Sequence, residues 1–289
     1  MNYKRWLVLL GWFGHLKRSL QYGPSSSSCS RLHAQQRDPD NEYTPLNLNY
    51  RVNNKDVEKV LDTDSVMSIG KYLIKSTTGV QFNRTFADEP DTIFLTDTKS
   101  GWGCGRHPTT KLCLEYIYNN VQPGDVVMDY GCGSGILSIL ALKLGASKVV
   151  AVDIDEDTIQ AARNNFEINS CAEFVDLCHT SEVWTGNDRF PKSDITVANI
   201  LPGALTRLVV PLWSFTKEGA SICLSGMRPK DLEAVRERFV PFVELSSEGM
   251  QESSHPQFGQ WIRWTVKTKK LTREEKTNAY AMMTELSME

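Results

Sequence analysis

Asp129-Tyr130-Gly131-Cys132-Gly133-Ser134-Gly135 is the stretch of this sequence best equipped for chemistry. Glycines at alternate positions let a backbone turn sharply and lie against a ligand that any Cβ would hold away. The spacing speaks against a dinucleotide. That fingerprint needs Gly-x-Gly-x-x-Gly, whereas here Gly135 falls one place too early and Ile136 stands where the third glycine belongs. An acid two places before the first glycine suits a pyrophosphate badly and a ligand bearing an ammonium group well. Asp153 follows Asp129 by 24 residues and closes the apolar run Val149-Val150-Ala151-Val152. A carboxylate at such a strand tip can accept both hydroxyls of a ribose. Asn199 closes another apolar run, and Gly101-Trp102-Gly103-Cys104-Gly105-Arg106-His107-Pro108-Thr109-Thr110 opens a helix. Hydroxyls and N–H groups at a helix start, Thr110 among them, can receive a carboxylate.

These residues need a frame. Val126-Val127-Met128 reads as a strand, the glycine stretch as the loop after it, and Ile136 to Leu142 as the helix that follows. A helix over Thr109–Asn120 is capped by Thr109 or Thr110. Asp155, Glu156 and Asp157 are first-turn acids of a helix over Thr158–Asn169. Phe174–Leu177 is a third strand, with Asp176 or Thr180 placed near a base, and Asp194–Asn199 a fourth. A helix over Ala204–Phe215, a strand over Ala220–Ser225 and a helix from Pro229 to Val240 follow. Phe242–Leu245 and Trp261–Val266 close the sheet, and Lys71–Ile74 and Thr92–Leu95 are further strand candidates, with a loop between Phe82 and Pro90. Alternating strands and helices predict an α/β fold with a doubly wound, mostly parallel sheet. Ligands of such sheets bind beyond the carboxyl ends of the strands, where Gly131, Asp153 and Asn199 fall.

The 289 residues and 40% hydrophobic content allow one main domain with an appendage. Six of the 32 Lys and Arg lie within residues 1–37, which hold no acid, leaving 26 against 35 acids in the rest. With a serine tract at 25–28 and an apolar run from Trp6 to Phe13, this composition predicts an organelle transit peptide for a mitochondrion or plastid, a cytoplasmic tail being the alternative. The apolar run is too short to span a bilayer, so no membrane partner is expected. An acidic body disfavours nucleic acid and suits a basic protein substrate. Seven cysteines without a Cys-x-x-Cys pair fit a reducing compartment, and five scattered histidines predict no metal.

Asp-x-Gly-x-Gly-x-Gly after a strand resembles the S-adenosylmethionine loop of Rossmann-like class I methyltransferases. More specifically, His107-Pro-Thr-Thr-Lys-Leu-Cys-Leu-Glu115, Asp129 to Ile139, Ala141-Leu-Lys-Leu-Gly-Ala146, Val152-Asp-Ile-Asp155, Val197-Ala-Asn-Ile-Leu201 and Leu224-Ser-Gly226 resemble the PrmA family, over roughly residues 101–266. Members use S-adenosylmethionine to methylate amino groups of large-subunit ribosomal protein eleven. The resemblance implies cofactor contacts at Thr110, Gly131, Asp153 and Asn199, with Asn199 also facing the accepting amine as the catalytic position. The glycine-loop reading adds Asp129, Gly133 and Gly135. Two departures stand out: Gly103-Cys104-Gly105-Arg106 replaces the family's Gly-Thr-Gly-Thr, and little chain is left for the N-terminal substrate-gripping domain of bacterial members. The expected division is a transit peptide (1–37), a linker with a small N-terminal region (38–100), a methyltransferase domain (101–266) and a charged tail (267–289). The expected partner is a protein with a target lysine, ribosomal in the first reading and the electron-transfer flavoprotein beta subunit in the alternative. Lysine methyltransferases of that flavoprotein lack the His-Pro-Thr-Thr turn. The sequence leaves the oligomeric state open.

Overall fold

The computed structural model describes residues 64–77, 90–96, 105, 107–183 and 189–278. The expected transit peptide and linker, most of the Phe82–Pro90 loop, Cys104, Arg106 and the end of the tail lie outside them.

Two sheets are present. The larger runs in the order β6-β5-β4-β7-β8-β10-β9, with β4 at Val126–Tyr130, β5 at Lys148–Asp153, β6 at Val175–His179, β7 at Ser193–Asn199, β8 at Thr216–Met227, β9 at Val243–His255 and β10 at Gly259–Thr268. Its first five strands are parallel, and β10 joins β8 and β9 antiparallel. A parallel sheet covered on both faces must be apolar on both, which accounts for the unbroken hydrophobic runs. Val127, Val149, Ala151, Ile195 and Val197 point into one hydrophobic cluster. Met128, Tyr130, Val150, Val152 and Ala198 point into the other.

Helix α1 (Pro108–Asn120), α2 (Ile136–Lys143) and α3 (Glu156–Ile168) cover the first face; α4 (Pro202–Leu205), α5 (Val209–Phe215) and α6 (Leu232–Phe239) cover the second. The doubly wound, mostly parallel architecture expected from the sequence is therefore present. α1 starts one residue earlier than read, and its cap is His107, whose Nδ1 accepts from the Thr109 N–H at 3.3 Å. Thr109 and Thr110 are helical instead. The single helix expected over Ala204–Phe215 is broken into α4 and α5. Pro211 has no N–H for a bond back to Arg207, and a break near Leu208 puts it in a first turn, where that donor is not needed. β9 and β10 extend far beyond Phe242–Leu245 and Trp261–Val266 as a long hairpin. On β9 every second residue is exposed, and on that face Glu244, Ser246, Glu248, Glu252 and Ser254 are polar and only Met250 is apolar, so the strand carries no apolar signature.

The small sheet, β1 (Asp64–Ile69), β2 (Tyr72–Thr77) and β3 (Thr92–Thr96), packs on the first face of the main unit. Ile69, Tyr72, Ile74, Ile93 and Leu95 belong to the same cluster as α1 and α2. Two buried asparagines fasten it, Asn165 in α3 and Asn169 as the C-cap of that helix. Asn169 accepts from the Phe94 N–H and donates to the Phe94 carbonyl. Asn165 accepts from Thr96 and donates to the Ser134 carbonyl in the glycine loop, so one side chain ties β3 to the site. An unmet buried partner of this kind costs about 1–3 kcal/mol, which makes Asn165 a support of the loop's position. Residues 273–278, the described helical part of the tail, are exposed on every side.

Candidate active site

A cavity of about 630 Å³ opens at the carboxyl ends of the parallel strands. Sheet order sets the sequence of its walls: Asp153 from β5, Gly131 and Gly133 after β4, Asn199 to Leu201 from β7, Gly226 from β8 and Trp261 from β10, with His107 and Thr109 at the start of α1. β10 runs antiparallel, so its beginning, not its end, reaches this edge.

The loop is fixed from beneath. The N–H groups of Gly131 and Cys132 both donate to the Val152 carbonyl, at 2.7 and 2.9 Å. Asp153 Oδ2 accepts from the Gly133 N–H at 2.9 Å, and Oδ1 from the N–H groups of Ile154 and Asp155 at 2.8 and 3.2 Å. These use three of the roughly four acceptor positions of a carboxylate. One hydroxyl can take the position left on Oδ2, and a second must share an oxygen with a backbone donor.

Of the positions read from sequence, Gly131, Gly133, Asp153 and Asn199 meet on the cavity wall, while Asp129, Gly135 and Thr110 stand behind it. Asp129 is wholly buried: its Oδ2 accepts from the Ser138 hydroxyl at 2.6 Å and from the Ser138 N–H at 3.2 Å, while Oδ1 has no hydrogen-bond partner. Burial raises its carboxyl to about 7 against the opposing pull of Ser138. A Cβ on Gly135 would lie 2.5 Å from the Phe166 ring, so that glycine serves the packing of α3 against the loop. Thr110 is buried and accepts from Asn199 Nδ2 at 3.4 Å. Asn199 is half-buried, and it does not cap the next helix, whose N-cap is Leu201. Thr180 is on the wall, whereas Asp176 is not; its carboxylate pairs with Lys148 at 2.9 Å.

Trp261 was read only as the start of a strand, and His107, Ile154, Leu201 and Gly226 entered only through the motifs that carry the family resemblance. His107 packs edge-on against Trp261, ring centres 4.6 Å apart, and burial, then Arg228 and His255, hold its imidazole below the usual range and therefore neutral at pH 7. Ile154 and Leu201 are 73% and 67% exposed at the lip, unusual for large apolar side chains. Gly226 lies against Ile200, the residue that also meets Gly131.

Residues 67–269 match the family model described as ribosomal protein L11 methyltransferase (PrmA). The chain is 41% identical over 165 residues to the ribosomal protein L11 methyltransferase of Burkholderia multivorans and 40% identical over 165 to that of Paraburkholderia xenovorans; each match covers 55% of this chain and 51% of the relative. This chain thus spans about half the length of the curated relatives it matches. Among solved structures, a ribosomal protein L11 methylase from Lactobacillus delbrueckii subsp. bulgaricus is similar at 26% identity and a TM-score of 0.54, over 72% of this chain and all of the other. With the match to the family model extending over more than half its length and enclosing every wall of the cavity, the chain belongs to the ribosomal protein L11 methyltransferase (PrmA) family.

Proposed function

We propose that the chain is an S-adenosylmethionine-dependent N-methyltransferase whose acceptor is a lysine of ribosomal protein L11. The observation that carries this reading is the enclosure of the whole cavity within the matched residues 67–269. The residues present fit the cofactor. A Cβ at Gly133 would have no atom within 4 Å, leaving a cradle at the backbone. Asp153 retains an acceptor position for a ribose hydroxyl, and the buried Asp129 carboxyl behind the loop, its Oδ1 without a partner, favours an ammonium group on the cavity side by its charge. Gly131, Gly133 and Asp153 would hold the nucleoside, with Asp129, Gly135 and Thr110 supporting from behind. When bound, S-adenosylmethionine supplies an electrophilic methyl group on a sulfonium.

The chain's own work is alignment and dehydration. A lysine with a pKa near 10.4 is almost all ammonium at pH 7, and removing its proton costs about 4.6 kcal/mol. Ile200, Leu201, Ala204 and Leu208 give the wall an apolar stretch that disfavours the charged form. Because Asn199 Nδ2 points to Thr110, its Oδ1 remains to accept an amine N–H and so fix the direction of the nitrogen lone pair. Asn199→Ala is expected to lower kcat roughly 100-fold while cofactor affinity changes only a few-fold. Steady-state kinetics beside calorimetric titration check this, and an unchanged kcat removes Asn199 from catalysis.

Incubation of the purified chain with radiolabelled S-adenosylmethionine and two pools, ribosomal protein L11 and soluble organellar protein, tests the reading. Label confined to the soluble pool overturns the ribosomal target. The relatives matched favour L11 over the flavoprotein. We propose also that residues 1–37 direct import into a mitochondrion or plastid, on their six cations and absence of acids. Fused to a fluorescent protein, the segment is expected to give organellar fluorescence; a diffuse cytosolic signal would refute it.

A further inference from the structure

Arg228 follows the last residue of β8 and stands at the far end of the cavity from Asp153. β5 and β8 are three strand spacings apart, about 14 Å. Its guanidinium lies 4.5 Å over the Trp261 ring, a wall residue, and a Cβ on Gly259 would come within 3.1 Å of Nη1, so the missing side chain there makes part of its seat. Its backbone N–H donates to Asp231 Oδ2 at 2.9 Å, which anchors the chain at that point. The side chain is exposed, and no ion pair among the described residues includes it. A cation held by stacking and steric fit, with no carboxylate paired to it among the described residues, is ready for one from outside. The opposite lip has the other sign, with exposed Asp155, Glu156 and Asp157 beside Ile154.

We propose that Arg228, stacked on Trp261, recognises a carboxylate of the acceptor chain, an Asp or Glu one or two residues from the methylated lysine. The inference rests on the lysine-methylation reading above. Asn199 ends β7, next to β8, so an amine at Asn199 places its neighbours along an extended chain within reach of the guanidinium. The cofactor's own carboxylate is the other source of the same chemistry. The cofactor's carboxylate shares a carbon with its ammonium group, and an ammonium held on the Asp129 side of β4 lies two strand spacings, about 10 Å, from β8, which favours the acceptor.

The test uses the full chain and a lysine-centred peptide library degenerate at two positions on each side, with radiolabelled S-adenosylmethionine, comparing the native protein with Arg228→Gln and Arg228→Glu. The native protein is expected to favour Asp or Glu at a flanking position over Lys or Arg by tenfold or more, Arg228→Gln to flatten the preference and Arg228→Glu to invert it. The affinity for S-adenosylhomocysteine, measured by calorimetry, is expected to stay within twofold in both variants. An absent acidic preference, or one retained in Arg228→Glu, overturns the inference; so does a tenfold loss of S-adenosylhomocysteine affinity, which gives the carboxylate to the cofactor. Where only intact ribosomal protein L11 takes label, a tenfold higher KM in Arg228→Glu supports the inference, and kinetics within threefold of native overturn it. If neither the library nor L11 is labelled by the native protein, the lysine-methylation reading itself fails and this inference falls with it.

Discussion

Gly226→Ala will destabilise the fold by roughly 2–4 kcal/mol and abolish turnover, whereas Gly133→Ala will leave the fold nearly intact and lower cofactor affinity at least tenfold. Both glycines have a positive φ, +87° and +55°, so alanine carries a backbone cost of about 1–2 kcal/mol at either. What differs is the surroundings. A Cβ on Gly226 would lie 2.2 Å from the Ile200 carbonyl oxygen and 2.9 Å from its nitrogen, and a backbone cannot swing aside as a side chain can. Ile200 is also the neighbour of Gly131, whose added Cβ would meet Ile200 Cγ2 at 2.2 Å. One isoleucine thus fills the space between two glycines on two strand ends, and moving it moves Asn199 beside it. A Cβ on Gly133 meets nothing within 4 Å and projects where a ligand would rest on the backbone. Thermal melts and calorimetric titration of both variants separate the two outcomes. Native-like cofactor affinity in Gly133→Ala would mean that the ligand lies elsewhere than against this loop.

The parts of the site legible in the sequence are those made by local rules. Strand β4, its glycine loop, α2 and Asp153 follow from apolar runs and from glycine spacing, because a strand buried on both faces advertises itself without reference to the rest of the chain. Asn199 was legible for the same reason. Trp261 and the capping role of His107 were not. The ring of His107 takes a capping role usual for Ser, Thr, Asp or Asn, and the neighbouring Thr109 and Thr110 looked better suited to it. Trp261 reaches the cavity only because β10 runs antiparallel between β8 and β9, a pairing between residues far apart in sequence. The hairpin that carries it is polar along β9 and so offered no period to read. The anchoring of β3 through Asn165 and Asn169 was hidden likewise, since an Asn at a helix C-terminus looks like a surface residue until its long-range partners are known.

Asp129 is expected to make the folded chain less stable as pH rises through neutrality, and Asp129→Asn to remove that dependence. An unfolded aspartate titrates near 3.9, whereas burial raises this one to about 7 in the fold. The folded state therefore favours the protonated form, and this group's contribution is complete below about pH 4 and lost as pH climbs through 7. Between pH 5 and pH 8 the loss is roughly 3 kcal/mol, on the order of 4 kcal/mol over the full range. Asparagine can accept from Ser138 with its oxygen but must bury an NH2 where Oδ1 now has no partner, a pH-independent cost of about 1–3 kcal/mol relative to the protonated acid. Urea melts at pH 5 and pH 8 should thus show the two proteins converging, or crossing, as pH rises. Parallel profiles would mean that Asp129 titrates near its ordinary value and that something already meets Oδ1. A buried carboxylate this costly makes sense beside a cation that arrives with the ligand. An ammonium group near Asp129 draws its pKa down, so binding at pH 6.5 should release a substantial fraction of a proton, seen as a dependence of the calorimetric heat on the ionisation heat of the buffer. Asp129→Asn should bind at least tenfold more weakly and release none, and a buffer-independent heat in the native protein would place the ammonium end of the cofactor away from this strand.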